Sequence, residues 1–256
     1  MIIYIPTLNR TRKQITYENL PAAIRKIAVF VANEADASML KQKYPLCKVM
    51  VCLKHGIGRT RQFIIDNHDF ANSGPQICML DDDLKFFDRR EDDPTKFELA
   101  SEESIIAMFN MIATRLLDHA LVSVMTREGG NRNTEDSYNT RCLRVLAYDA
   151  GVLRKENIKF DRLPVMEDFD VALQLLRKGY PNVSLAAWVQ DQGGSNTAGG
   201  CSGYRTMEVQ AEGAHGLQKH HPKFVRVVEK ETKVAWGGKK RTDVVVSWKK
   251  AFNADI

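Results

Sequence analysis

The strongest constraint on the fold is the alternation of short, almost wholly apolar runs with segments that carry apolar residues at helical spacing. Such runs are typical of parallel strands buried on both faces, and the segments between them are typical of covering helices. The strand-like runs are residues 2–5, 28–32, 49–53, 77–80 and 121–125, and the helical segments include 17–27, 34–43 and 101–119. The sequence therefore predicts an α/β domain over residues 1–205, with a mostly parallel sheet flanked by helices.

Positive charge is concentrated near the C-terminus. The 256-residue chain has a formal net charge of +5, and between residues 219 and 250 ten lysines and arginines face three acidic residues. We expect residues 206–256 to form a basic segment that packs on the same domain. A cluster of positive charge like this is typical of proteins that bind a polyanion and equally of a solvated, lysine-rich surface, so both interpretations stay open.

Composition also excludes some classes of protein. No apolar run reaches the roughly 18 residues of a membrane span, so we expect no membrane partner. The five cysteines are odd in number and form no CxxC pair, which argues against a disulfide framework or structural zinc and for a reducing compartment. We expect a cytoplasmic protein with no required protein partner.

Three consecutive carboxylates, Asp81, Asp82 and Asp83, follow the fourth predicted strand. They would repel one another unless a cation or several donors compensate. Mg²⁺ and Mn²⁺ favour oxygen ligands and are usually held by one or two carboxylates plus substrate phosphates. Alternation along an extended backbone would point Asp81 and Asp83 to the same side. An exposed acidic turn is the alternative, but the carboxyl end of an interior strand favours a binding site.

A second acidic group, Glu167, Asp168 and Asp170, opens a predicted helix that ends at Gly179. The helix macrodipole favours carboxylates at this position, which explains them without any chemistry. A carboxylate at a helix start that faces a cleft can also accept a proton from an acceptor hydroxyl. The residues alone slightly favour the structural interpretation.

The order and spacing of four segments resemble those of the GT-A glycosyltransferases, over about residues 2–190. The segments are 5–10 (IPTLNR), 56–61 (GIGRTR), 80–83 (LDDD) and 167–179 (EDFDVALQLLRKG). The resemblance implies a GT-A, Rossmann-like fold and a metal-dependent transferase that uses a nucleotide-sugar, a UDP-sugar, with Mn²⁺ or Mg²⁺.

The resemblance also implies roles for individual residues. The implied nucleotide-sugar site comprises Pro6, Thr7, Arg10, Gly58, Arg61, Asp81 and Asp82. Within it, Gly58 would let the backbone approach the donor and Arg61 would reach the phosphates. Asp81 and Asp83 would hold the metal. Asp168, with Glu167 beside it, would supply the catalytic base of an inverting enzyme.

Several points stay open at this level. Many GT-A enzymes supply a late histidine to the metal, and His215, His220 and His221 compete for that role. Retention of anomeric configuration is not excluded. The polar segment 128–136 is interpreted as an exposed connector, with a wall of the acceptor pocket as the alternative.

More specifically, the chain is similar to the small phage TET-associated glycosyltransferases that modify DNA bases. The features are its compact size, its immediate start at the first strand, the 193–196 loop (GGSN) and the basic end at Trp248, Lys249 and Lys250. This similarity implies a hydroxymethylated pyrimidine in DNA as the acceptor. Lys239, Lys240 and Arg241 are the predicted DNA contacts.

Three rival functions are weighed against this one. A nucleotidyltransferase would use similar metal carboxylates, but residues 6–12 after the first strand contain arginines and no glycine, unlike the usual signature of such enzymes. A GT-A enzyme could act instead on a glycan or small molecule. The third rival is a DNA-binding protein without catalytic activity. Two aligned groups of carboxylates argue against it, because they do not help a protein to bind a polyanion.

Overall fold

Parallel strands from the N-terminal part of the chain form one half of a large β-sheet. The computed structural model describes residues 1–192, 203–231 and 240–254. In it, β1 (Ile2–Pro6) lies between β2 (Ala28–Ala32) and β4 (Gln76–Leu80), and β3 (Lys48–Val51) lies at the edge. These four strands confirm the predicted runs within about two residues, the usual uncertainty of element ends. Their carboxyl ends share one edge of the sheet.

The other half of the sheet is mixed. Its strands are β5 (Leu84–Arg89), β6 (Phe97–Leu99), β7 (Leu121–Thr126), β8 (Ser137–Tyr138), β9 (Val145–Asp149) and β10 (Asn182–Gln192). Strand β9 lies antiparallel between β4 and β7, while β10 runs parallel to β7 and antiparallel to β5.

The prediction of a mostly parallel sheet needs correction on this point. Of the nine strand pairings in the main sheet of the described chain, five are antiparallel. One reason is connection length: seven residues separate β5 from β6, which pair with each other, whereas a parallel crossover needs about a dozen or more. The α/β architecture itself is confirmed.

Helices cover both faces of the sheet. They are α1 (Ile15–Asn19), α2 (Ala22–Arg25), α3 (Glu34–Lys43), α4 (Ile57–Asn67), α5 (Phe70–Ser73), α6 (Glu102–Arg115), α7 (Arg127–Gly130), α8 (Ala150–Lys155) and α9 (Glu167–Leu176). The single helix predicted over 17–27 is two short helices, because Pro21 begins α2 and cannot continue α1. Two apolar clusters result, one on each face, represented by Phe30 with Phe86 and by Tyr148 with Phe160.

The C-terminal segment packs on α9. It comprises α10 (Met207–His220), a hairpin of β11 (Val225–Glu231) and β12 (Lys240–Val246), and α11 (Trp248–Phe252). A third apolar cluster joins Leu173 and Leu176 of α9 to Leu217 and Phe224. The boundary at residue 205 stays a prediction. The 193–196 loop and Lys239 lie outside the described residues.

A buried polar network reinforces this contact. Asp170 of α9 is fully buried and accepts hydrogen bonds from Arg162, at 2.6 and 2.9 Å, and from Gln174 at 2.9 Å. His221, at the end of α10, lies 2.8 Å from Asp170 and 3.1 Å from Arg177. Each polar group that burial removes from water therefore finds a partner, and the network fixes the C-terminal segment to the start of α9.

No helix in the described part of the chain is long and apolar enough to cross a membrane. The four cysteines within the described residues, Cys47, Cys52, Cys78 and Cys142, are free thiols.

Replacing Asp170 by alanine tests this network. We expect Asp170→Ala to lower the free energy of unfolding by about 3–5 kcal/mol, because Arg162 and His221 lose their buried partner. Chemical denaturation measures this change. Asp161→Ala removes an exposed carboxylate nearby and is expected to change stability by less than about 0.5 kcal/mol. Equal losses in both variants would contradict the assigned role of the network.

Candidate active site

A cavity of about 760 Å³ lies at the carboxyl edge of β1, β2 and β4, the edge where open α/β sheets bind ligands. Loops after these strands and the start of α9 form its walls. It brings together most of the predicted site residues: Pro6, Thr7, Arg10, Arg61, Asp81, Asp82, Asp83, Glu167, Asp168 and Arg241. The segments that carry them are far apart in the sequence, so the fold assembles the site.

Two arginines compensate the acidic triplet. Arg61 donates to Asp81 at 3.0 Å, and Arg10 donates to both Asp82 and Asp83 at 2.6 Å. Asp82 and Asp83 lie in a turn before β5, so the alternation expected for an extended chain does not extend through them. Asp83 shares Arg10 with Asp82, and Asp81 contacts a different arginine. The assignment of a metal to Asp81 and Asp83 stays a prediction.

The backbone of this turn is itself fixed. The buried Thr16 donates its hydroxyl to the carbonyl of Asp81 at 2.5 Å and accepts the N–H of Leu84 at 2.8 Å. The N–H of Asp81 is bound by the carbonyl of Arg144 at 3.0 Å. Burial raises the pKa of Asp82 to about 7, although the Arg10 cation opposes this shift. Burial also raises the pKa of Asp81, against the opposing effect of Arg61.

Arg61 connects the triplet to the second acidic group. Its side chain is almost fully buried and donates to Glu167 at 2.7 Å as well as to Asp81. Burial disfavours the guanidinium charge, but the carboxylates of Glu167 and Asp81 more than offset this effect and raise the pKa of Arg61. The predicted contact of Arg61 with donor phosphates stays a prediction.

The two carboxylates that open α9 have different environments. Glu167 is buried against Arg61, and burial raises its pKa to about 7 despite the nearby guanidinium. Asp168 is half-buried and lines the cavity, and it accepts the N–H of Phe169 at 3.0 Å. A group that takes a proton from a substrate must be within reach of it. Asp168 meets this condition better than Glu167.

The fold requires glycine at position 58 because of a contact within the protein, whereas the sequence predicted a contact with the donor. Gly58 does not line the cavity, and a Cβ added to it would lie 2.5 Å from the carbonyl oxygen of Phe160. This distance is far below van der Waals contact, so only glycine lets α4 approach that backbone. Close approach to the donor by Gly58 stays a prediction.

The three candidate histidines do not line the cavity. His221 is buried in the Asp170 network, and the cavity walls in the described chain include neither His215 nor His220. The histidine on the wall is His55, between β3 and α4, which sequence reasoning missed. It follows a strand end, a position that could have singled it out.

Other wall residues were also missed. They are Lys54, Arg141, Arg144, Tyr204, Arg205, Gln210 and Asp243. Glu128, Gly129 and Arg132 line the cavity too, so the segment 128–136 contributes to its wall rather than only connecting elements. Of the predicted DNA contacts, Lys240 is exposed and away from the cavity, whereas Arg241 lines it.

The acidic triplet fits a hard divalent cation by its chemistry. It offers carboxylate oxygens, and Oδ2 of Asp82 is a buried oxygen without a hydrogen-bond partner. The described residues contain no cluster of three or more histidine, cysteine, aspartate or glutamate side chains suited to a metal ion. A cation held by one or two of these carboxylates would complete its coordination with phosphate oxygens and water.

Replacing Arg61 tests the link between the two acidic groups. We expect Arg61→Met to lower the free energy of unfolding by about 3–5 kcal/mol, because Asp81 and Glu167 lose their shared cation. Adding Glu167→Gln should recover part of the loss. Chemical denaturation provides the measurement, and Arg59→Met on the exposed side of α4 is the matched control. A stable Arg61→Met variant would show that the two carboxylates do not depend on this cation.

Comparison with known proteins agrees with this geometry. A profile of the TET-associated glycosyltransferase family (TAGT) matches residues 1–200. The chain is 27% identical over 190 residues to the Beta-glucosyl-HMC-alpha-glucosyl-transferases of Enterobacteria phages T2 and T6, an alignment that covers 67% of this chain. It spans 63% of the length of these relatives, slightly under two thirds.

The fold also has a solved counterpart. S. aureus TarS, in a structure of residues 1–349, superposes with a TM-score of 0.52 at 14% identity, covering 85% of this chain and 66% of TarS. At this identity the likeness establishes the fold alone, which is GT-A-like. With the family profile covering more than half of its length, the chain belongs to the TET-associated glycosyltransferase family.

Proposed function

We propose that this protein is a metal-dependent glycosyltransferase that moves a sugar from a UDP-sugar to a hydroxyl group carried by a hydroxymethylated pyrimidine in DNA. One observation carries the proposal: a single cavity contains both the acidic triplet, with its two arginines, and Asp168. Family membership supports the same activity.

The donor would lie along the carboxyl edge of β1 and β4. Pro6 and Thr7 line the cavity next to Arg10, where a nucleoside could be held. Arg10 is near enough to the triplet to serve both the carboxylates and a diphosphate. Mg²⁺ or Mn²⁺ held by Asp81 and Asp83 would stabilise the negative charge that grows on the departing diphosphate.

Asp168 would act as the base on the acceptor side. As the acceptor oxygen forms its bond to the anomeric carbon, the bond from that carbon to the diphosphate breaks, and the acceptor proton passes to Asp168. The sugar has oxocarbenium character at this point, so a nearby carboxylate also stabilises it. Glu167, engaged by Arg61, would position the start of α9 rather than accept the proton.

Two features support a DNA acceptor. The phage relatives carry names that specify transfer to a glucosylated HMC group. The C-terminal segment is basic and contributes to the cavity. The same names favour a second acceptor, a sugar hydroxyl already attached to the modified base. Transfer to DNA containing hydroxymethylcytosine, with and without a glucose on it, separates the two.

Replacing Asp168 tests the proposed chemistry. We expect Asp168→Asn to lower kcat by about 10²- to 10⁴-fold, because the amide cannot accept the proton, and to leave the affinity for UDP unchanged. Transfer of labelled sugar to hydroxymethylated DNA measures the rate. Asp118→Asn, an exposed aspartate away from the cavity, is the control. Full activity in Asp168→Asn would assign the base to another group.

A further inference from the structure

The cavity continues beyond the part of the chain that the family profile matches. That match ends at residue 200, yet five later residues contribute to the cavity wall. They are Tyr204, Arg205, Gln210, Arg241 and Asp243. The hydroxyl of Tyr204 accepts the N–H of Ile57 at 3.0 Å, which joins this wall to the start of α4. The C-terminal segment is therefore part of the cavity and not an appendage on its outside.

Arg141 faces this wall from the middle of the chain. Its guanidinium lies 4.3 Å from the ring centre of Phe169, the residue after Asp168. Arg141 is exposed and lines the cavity, and no carboxylate within the described residues forms an ion pair with it. Asp168 and Asp243 attract its charge, whereas Arg144 and Arg205 repel it. A guanidinium that faces the cavity without an ion-pair partner favours an anionic ligand.

Arg241 enters the same region from β12. It donates to Asp243 at 2.6 Å, and Lys230 lies 3.3 Å from the same carboxylate. Arg241 and Lys230 thus share the carboxylate of Asp243. Lys240, the neighbour of Arg241, is exposed and off the cavity, as alternation along a strand requires.

Cations and anions are unevenly distributed over the cavity wall. Arg10 and Arg61 pair with four of the seven carboxylates on the described wall, those of Asp81, Asp82, Asp83 and Glu167, and the rest of that wall contains six cations and three anions. The cations are Lys54, Arg132, Arg141, Arg144, Arg205 and Arg241, and the anions are Glu128, Asp168 and Asp243. A nucleotide-sugar brings a single diphosphate, which accounts for some of these cations but does not explain their spread to the C-terminal segment.

We propose that residues 203–231 and 240–254 complete the acceptor subsite, and that Arg141 and Arg241 bind a backbone phosphate of the DNA strand that carries the acceptor hydroxyl. The inference rests on the proposed function. Arginine suits this role because its planar guanidinium can donate two parallel hydrogen bonds to a phosphate. Phosphate contacts fix the register of a nucleic acid without reading its sequence. A phosphate held here would bring the neighbouring nucleotide to Asp168.

Two neighbours on β12 allow a matched test. Arg241→Gln removes a cation that lines the cavity, and Lys240→Gln removes one that is exposed outside it. Binding to a short DNA duplex that contains hydroxymethylcytosine is measured by fluorescence anisotropy at several salt concentrations. We expect Arg141→Gln and Arg241→Gln each to weaken binding by about tenfold. Each should also lower the slope of log K against log salt by about one, while Lys240→Gln changes affinity by less than about twofold.

Donor binding separates this subsite from the donor site. The same variants are titrated with UDP in the presence of Mn²⁺, and we expect affinities equal to that of the parent. Thermal unfolding checks that each variant is folded. Arg241→Lys keeps the charge opposite Asp243 but loses the paired donors of the guanidinium, so we expect it to unfold at the temperature of the parent and to bind DNA with an affinity between those of the parent and Arg241→Gln.

Two results would overturn the proposal. Equal loss of DNA binding in Lys240→Gln and Arg241→Gln would show a diffuse surface contact instead of a subsite in the cavity. Loss of UDP binding with intact DNA binding would assign Arg141 and Arg241 to the donor.

The parent protein separates failure of the subsite from failure of the proposed function. If the parent bound UDP and transferred sugar only to free nucleosides or small glycans, the proposed subsite would be wrong and the transferase activity would be correct. If it bound DNA through Arg141 and Arg241 without transferring sugar, the proposed function would be wrong instead.

Discussion

The buried ion pairs of Arg61 are the interaction on which the rest of the site depends. Arg61 joins Asp81, at the end of β4, to Glu167, at the start of α9. Arg61 and Glu167 are 106 residues apart in the sequence. Removing three charged groups from water is unfavourable unless each finds a partner of opposite charge. The pairing satisfies this condition and holds the two acidic groups in one cavity. Asp168 is left to face the cavity because Glu167 engages the arginine.

Charge compensation by protein groups also explains how the acidic triplet can exist in a folded chain. Arg10 and Arg61 approach it from different elements, so each of the three carboxylates has a positively charged partner within the protein. A preorganised set of charges of this kind loses little free energy to rearrangement when a ligand binds. The C-terminal segment extends the same principle to the other wall, where Arg205, just before α10, and Arg241 of β12 line the same cavity as Asp168.

Local patterns in the sequence predicted the elements that depend on local physics. The apolar runs of β1, β2 and β4, and the helix opened by Glu167, have the expected positions. The predictions that were wrong or missing depended on contacts between segments that are distant in the sequence. No local pattern shows that β9 inserts antiparallel between β4 and β7, or that Gly58 meets the backbone of Phe160. Nor does it show that His221 is buried against Asp170. Arg141 was missed because an isolated arginine has no signature until the fold places it beside Asp168.

The acidic triplet is proposed to bind the diphosphate of a nucleotide together with a divalent cation. Calorimetric titration of UDP into the parent protein and Asp83→Asn, with Mn²⁺ and with a chelator, tests this binding directly. We expect Mn²⁺-dependent binding to the parent that is lost with the chelator and weakened at least about tenfold in the variant. Binding of equal strength in all four titrations, or no binding of any nucleoside diphosphate by the parent, would contradict it.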